Sequence, residues 1–211
     1  MKKIIAIDIG NSETNVGVGN STKWESYRYT TRKTITSDEL LMMFKTTIDL
    51  SKLNDKAVDG VIVCSVVPQI TDSVVSAISE FTTKDVLVVG PGIKTGLKVN
   101  IDNPKELGPD RIANSVGGFK KTNKEVVIVD LGTATTFDVV NSNKEYLGGS
   151  IAPGIKISLD ALISKTSSLK SVELKEPDKV IGKNTYEAIQ SGLVLGHASM
   201  IDSMLEKIVL E

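Results

Sequence analysis

The sequence predicts an α/β protein of two similar lobes of βββαβαβ type, the second lacking its last strands. Three observations carry that expectation. A β-branched run ending on an acid and a glycine turn, Ile4-Ile5-Ala6-Ile7 followed by Asp8-Ile9-Gly10, returns as Glu125 to Asp130 followed by Leu131-Gly132. Two further short strands and a helix pattern follow each copy, so the unit βββα occurs twice. The interval between the copies far exceeds the roughly 20–50-residue period of a solenoid, and 211 residues suffice for one large domain or two small lobes. The lobes are expected at 1–115 and 116–211.

The elements follow in order. Ile4 to Asp8, Asn15 to Gly19 and Lys23 to Thr30 read as strands, the third through Trp24, Tyr27 and Tyr29. Thr36 to Leu50 reads as a helix, because Thr36 and Glu39 have capping-box spacing and Leu40, Met43, Phe44 and Ile48 share one side. Val61 to Val67 is a continuous apolar run, the pattern of a strand buried on both faces. Pro68 opens a helix carrying Ile70, Val74, Ala77, Ile78 and Phe81, and Asp85 to Gly90 is the next strand. Asn103-Pro104-Lys105-Glu106 reads as a capped helical turn, and a helix through Ile112, Ala113 and Val116 starts at Asp110-Arg111.

In the second half, Glu125 to Asp130, Thr136 to Val140 and Glu145 to Gly149 read as strands, and Gly154 to Ser164 as a helix. Ser164 to Lys179 is polar and lysine-rich, the composition of a mobile loop. Asn184, with Glu187 three residues on, caps a last helix that runs towards Leu210. That helix starts where the repeat calls for the counterpart of the Val61 strand, and no apolar β run follows it. Trimming in a natural member and C-terminal shortening of the chain both account for this.

Composition narrows the function classes. Apolar residues are 40% and charged residues 24%, and 25 Lys+Arg against 26 Asp+Glu leave a net charge of −1. Bulk charge thus gives no reason to expect a basic stripe for nucleic acid. No run approaches the ~20 apolar residues of a membrane span, and the Ile4 to Ile7 stretch is shorter than the roughly 7–15-residue core of a signal peptide. One cysteine, Cys64, excludes an intramolecular disulfide framework and fits a reducing compartment. The expectation is a cytoplasmic protein with neither nucleic acid nor membrane as partner.

The chemistry is expected at the strand ends. In Asp8-Ile9-Gly10-Asn11-Ser12-Glu13-Thr14-Asn15, an acid, a glycine and small hydroxyl or amide side chains make a tight bend whose N–H groups can face a phosphate. The acid can reach magnesium, which keeps much of its water. Such a bend alone is ordinary hairpin chemistry; its echo at Asp130-Leu131-Gly132-Thr133-Ala134-Thr135-Thr136 makes two facing phosphate turns the better reading. Gly108-Pro109-Asp110-Arg111 puts an acid at a helix start, where free N–H groups and the helix dipole act. Arg111 is one of only three arginines, with Arg28 and Arg32.

Five segments, Asp8-Ile9-Gly10-Asn11, Gly108-Pro109-Asp110-Arg111, Asp130-Leu131-Gly132-Thr133, Gly148-Gly149-Ser150-Ile151-Ala152-Pro153-Gly154 and Gly182-Lys183-Asn184-Thr185, stand in the order seen in type III pantothenate kinases. The chain resembles that family over nearly its whole length. The resemblance implies two actin-like (ribonuclease H-like) lobes of the acetate and sugar kinase class. It also implies ATP-dependent phosphorylation of pantothenate to 4′-phosphopantothenate, the first step of coenzyme A biosynthesis. Mg²⁺ with ATP, a monovalent cation (K⁺ or NH₄⁺) and a homodimer are implied too. Residue by residue, it implies ATP binding by Asp8, Ile9, Gly10, Asn11, Ser12, Glu13, Thr14, Asn15 and Thr133, with Asp8 also towards Mg²⁺. Asp130 matches the monovalent-cation ligand. Gly108, Pro109, Asp110 and Arg111 match the pantothenate-binding stretch, with Asp110 as proton acceptor. Thr185 matches a substrate contact supplied across the dimer interface. Pro109 replaces the family's usual Ala, and Pro is favoured at the first helical position. Ser12 replaces the usual Thr, and Val99 or Ile101 stands where members often have an aromatic residue.

Two other functions fit parts of the sequence: a non-catalytic accessory or regulatory relative, and a kinase of this fold for another small alcohol. Retained Asp8, Asp110 and Asp130 favour turnover. His197, without His or Cys neighbours, reads as structural, Cys64 as a small hydrophobe, and Trp24 as core or lobe-edge packing. Ala188, Gly192, Gly196 and Ser199 make a smooth helix face suited to close packing, as across a dimer.

Overall fold

Ile5, Ile7 and Ile9 alternate with Ala6 and Asp8, so a strand here sends its isoleucines to one face and Asp8 to the other. The computed structural model, which describes residues 3–20, 22–51, 58–90, 92–165 and 172–211, has this arrangement. The first lobe runs β1 (Lys3–Ile9), β2 (Glu13–Gly19), β3 (Trp24–Thr30), α1 (Ser37–Leu50), β4 (Val58–Ser65), α2 (Pro68–Ser79) and β5 (Val86–Val88). Its sheet has the order β3-β2-β1-β4-β5, antiparallel through the first three strands and parallel from β1 to β4 and β5. Ile5, Ile7, Ile9, Val16 and Val18 pack with Phe44 and Ile48 of α1 and Val74 and Ile78 of α2. The capping box closes as expected: Thr36 N–H donates to Glu39 Oε2 at 2.9 Å, and Glu39 N–H to Thr36 Oγ1 at 3.3 Å.

The rest of the chain runs β6 (Lys98–Val99), a 3₁₀ turn (Pro104–Glu106), α3 (Pro109–Thr122), β7 (Val126–Leu131), β8 (Ala134–Val140), β9 (Glu145–Pro153), α4 (Ile155–Ser164), α5 (Thr185–Gln190), a π turn (Ser191–Leu195) and α6 (Gly196–Leu210). Its sheet has the order β6-β9-β8-β7, antiparallel except where β6 joins β9 in parallel. Among the described residues β7 has one neighbour and no counterpart of β4 beside it. Helix α3 lies between the lobes: its Ile112 and Phe119 share one core with Cys64 and Val89 of the first and Val140 and Tyr146 of the second.

Three features depart from expectation. β6 was not foreseen, being only two residues long and supported by its pairing with Glu145 and Tyr146. The last helix is not continuous: the π turn interrupts it at Ser191 and Gly192, where Ser191 Oγ donates to the Val180 carbonyl and glycine weakens the helix. Of the expected loop from Ser164 to Lys179, 166–171 lie outside the described residues, but Val172 is buried in a small core with Leu159 and Ile189. Trp24 is half-exposed at the lobe edge, its ring over Gly17.

Candidate active site

The first acid turn joins β1 to β2. Gly10 N–H donates to the Glu13 carbonyl at 2.9 Å, and Thr31, just past β3, braces the bend from outside. Its N–H donates to the Ser12 carbonyl at 3.0 Å and its hydroxyl to the Gly10 carbonyl at 2.8 Å. Thr14 and Thr31 also share a hydroxyl hydrogen bond at 2.8 Å. The second turn joins β7 to β8 with the same economy, Gly132 N–H donating to the Ala134 carbonyl at 2.9 Å. Gly154 N–H donates to the Thr133 carbonyl at 3.1 Å, and a Cβ at Gly154 would overlap the carbonyl oxygens of Gly132 and Thr133, so only glycine closes this corner.

The two turns meet. Ser12 Oγ and Thr133 Oγ1, one from each lobe, share a hydrogen bond at 2.9 Å. The strands that lead into the turns border a cleft of about 450 Å³ whose lining includes Asp8, Asn15, Cys64, Asp110, Asn114 and Asp130. Asp8 faces it because β1 sends its isoleucines the other way. Within the first segment, Ile9 and Thr14 are buried, whereas Asn11, Ser12 and Glu13 are exposed and Glu13 pairs with Arg28 at 3.4 Å.

Gly108 and Pro109 start α3 and place Asp110 in its first turn, where Asp110 Oδ1 accepts the Arg111 N–H at 2.8 Å. A Cβ at Gly108 would crowd that carboxylate. Asn114, one turn on and so on the same helix face as Asp110, donates from Nδ2 to Asp130 Oδ2 at 2.9 Å. The Arg111 side chain is held from the second sheet, its Nε donating to Asp138 Oδ1 at 2.7 Å. Thr185 opens α5 and lines a separate groove of about 570 Å³ with Leu162, Asn184, Ala188 and Gly192.

Partial loss of water raises the pKa of Asp8 from its ordinary value; the Asn15 amide opposes this, and Asp110 and Asp130 add to it. The same negative surroundings act on Cys64: burial first, then Asp8 and Asp110, push its thiol to about 12, so it stays neutral and unreactive. Among the described residues no three His, Cys, Asp or Glu side chains are close enough to hold a metal on their own. Asp8, Asp110 and Asp130 line the cleft as separate oxygen donors, the donor type that suits a hard cation keeping most of its water. His197 Nε2 and buried Thr135 Oγ1 are hydrogen-bonded at 2.9 Å, a packing role for the single histidine.

Sequence reasoning missed Thr31, Asn114, Asp138 and Tyr146. Asn114 was within reach, since four residues after Asp110 is one helical turn. Asp138 carried a signal as well: an acid inside the strand run Phe137-Asp138-Val139-Val140 is buried only with a partner.

The two small-residue turns touch, and the strands that lead into them carry Asp8 and Asp130 to a cleft that Asp110 also lines. That is the working arrangement of the two-lobed, actin-like phosphotransferases. The family model for type III pantothenate kinase matches residues 4–207. The type III pantothenate kinase of Syntrophotalea carbinolica is 41% identical over 205 residues, 97% of this chain and 80% of that one. The enzyme of the same name from Pelobacter propionicus is 41% identical over 209 residues, 99% of this chain and 82% of that one. A conserved Baf family protein from Campylobacter jejuni shares the fold, with a TM-score of 0.54 at 20% identity over 95% of this chain and 78% of that one. The chain belongs to the type III pantothenate kinase family.

Proposed function

We propose that the chain transfers the terminal phosphoryl group of ATP to the primary hydroxyl of pantothenate, giving 4′-phosphopantothenate at the first step of coenzyme A biosynthesis. The observation that supports this reading is the Ser12–Thr133 contact between the two turns, whose flanking strands present Asp8, Asn15 and Asp130 to the cleft that Asp110 lines. Backbone N–H groups of the turns from Asp8 to Asn15 and at Thr133 hold the nucleotide phosphates. Gly108 to Arg111 hold pantothenate, and Asp110 orients its hydroxyl and accepts the proton as the new P–O bond forms. The transition state is loose in most analyses, so placement and charge contribute more than the strength of the base. Asp8 would hold the magnesium that accompanies ATP and Asp130 a potassium or ammonium ion; both cations supply positive charge beside the phosphates.

The working unit is a homodimer in the cytoplasm. Thr185 and the small-residue face of Ala188, Gly192 and Gly196 form part of the contact, and Thr185 reaches the partner's substrate. A Cβ at Gly192 or Gly196 meets nothing within 4 Å, so the face is open to a second copy. No helix among the described residues is long and apolar enough to cross a membrane.

The test is direct: the purified chain, ATP and pantothenate, with product followed by mass, in potassium and in sodium-only buffer. Turnover that falls without potassium, and an Asp130→Ala variant that loses this response, are expected. A folded chain that binds pantothenate without forming product would favour the non-catalytic reading.

A further inference from the structure

Asp138 sits in the middle of β8, paired with Ile128 on one side and Gly149 on the other, and is fully buried at 0% exposure. A carboxylate in such a place is tolerated only with good partners. It has three: Arg111 Nε at 2.7 Å and the Tyr146 hydroxyl at 2.8 Å, both on Oδ1, and Thr136 Oγ1 at 3.3 Å on Oδ2. The Arg111 guanidinium also lies 5.7 Å from the centre of the Tyr146 ring. Burial, then the neighbouring carboxylate, push the Tyr146 phenol well up, so it remains a donor at all working pH values. Gly149 leaves room for the guanidinium, since a Cβ there would stand 3.1 Å from Arg111 Nη2 and overlap the Phe137 carbonyl.

This use of Arg111 is unlike that of the other two arginines, whose side chains pair at the surface at 70% and 58% exposure against 17% for Arg111. It is also partial. Asp138 takes only Nε, and among the described residues neither terminal nitrogen of Arg111 has an acceptor. A planar guanidinium can be fixed at one nitrogen and still offer two parallel donors, which lysine cannot.

We infer that Asp138 is a positioning residue for pantothenate binding: it pins Arg111 through Nε, with Tyr146 as the second clamp, and leaves the terminal nitrogens free for the carboxylate of the substrate. The inference rests on the reading that Arg111 meets pantothenate beside Asp110.

Steady-state kinetics of four variants test it. Asp138→Asn should raise KM for pantothenate about tenfold or more, while KM for ATP changes less than about twofold; a tenfold change is about 1.4 kcal/mol. Arg111→Gln should raise the same KM, and adding Asp138→Asn to it should bring no further rise, because the arm being positioned is gone. A folded Asp138→Asn protein with unchanged KM for pantothenate would overturn the inference, as would equal scaling of both KM values or a loss confined to kcat. If Arg111→Gln leaves KM for pantothenate unchanged, the reading of Arg111 fails first, and the positioning role falls with it. Should Asp138→Asn not fold, Tyr146→Phe carries the test: a two- to threefold rise in KM for pantothenate alone supports the clamp, and no change contradicts it.

Discussion

Among the described residues, the strand that presents Asp8 lies between two partners, whereas the strand that presents Asp130 has one. β1 is held by antiparallel β2 and parallel β4, and its isoleucines enter a large core under α1 and α2. β7 is held by β8 alone among the described residues, and Val126 to Val129 are only half-buried. Yet both strands end in the same acid, glycine and hydroxyl turn, and the turns touch. The difference shows that one motif can be supported in two ways. In the first lobe the sheet holds it. In the second, helix α3 does, through Asn114 on Asp130 and Arg111 on Asp138. Helix α3 is thus tied to the less supported sheet, and the second turn depends on the helix that carries Asp110.

Core truncations at matching positions should sharpen the contrast most. Ile7→Ala removes a fully buried side chain from β1 and is expected to destabilise the fold by about 2–5 kcal/mol. Val129→Ala, one residue before Asp130 as Ile7 is before Asp8, should cost about 1 kcal/mol, because its side chain is half-buried and fewer atoms lose contacts. Urea unfolding of both variants measures this; equal losses would break the comparison.

The acids themselves give a smaller effect that depends on pH. The folded pKa of Asp8 is raised, so between its ordinary value of 3.8 and the folded value the native state binds more protons than the unfolded chain. Stability then falls as pH rises through that window, and the penalty is complete above it. Asp8→Asn should therefore melt at a higher temperature than the wild type at neutral pH, with the gain vanishing as pH drops towards 3.8. Thermal melts across pH check the sign. On the proposal that Asp8 holds magnesium, the same variant should gain less stability than the wild type from added magnesium and ATP. A variant less stable than wild type at pH 7 would contradict the cause assigned to the shift.

Much of this was legible in the chain because it is local. Capping at Thr36 and Glu39, the alternation of β1, the Pro109 helix start and the recurrence of Asp-x-Gly are set by neighbours within a few residues. The doubled turn, with the βββα pattern repeated around it, indicated two lobes. What escaped was the contact between distant segments. Thr31 braces a turn some twenty residues earlier, Asn114 and Arg111 reach acids on β7 and β8, and β6 gains its short ladder from β9. No periodicity records such pairs. Asp138 lay between these cases: an acid in an apolar strand demands a cation, and the chain has three arginines from which to choose. The π turn escaped because Asn184 to Leu210 keeps helical spacing throughout, while the Ser191 bond that accompanies the interruption runs to Val180 outside the helix.

The most direct test concerns Asp110. Asparagine there keeps an oxygen for the Arg111 N–H, so the start of α3 is preserved while the negative charge and the proposed proton acceptor are removed. Pantothenate phosphorylation by wild type and Asp110→Asn should be measured side by side, with melting temperatures and pantothenate binding as controls. Turnover about 10²–10⁴-fold lower in the variant, at unchanged stability and with binding retained, is the predicted result. An Asp110→Asn protein that phosphorylates pantothenate at close to the wild-type rate would contradict the assignment.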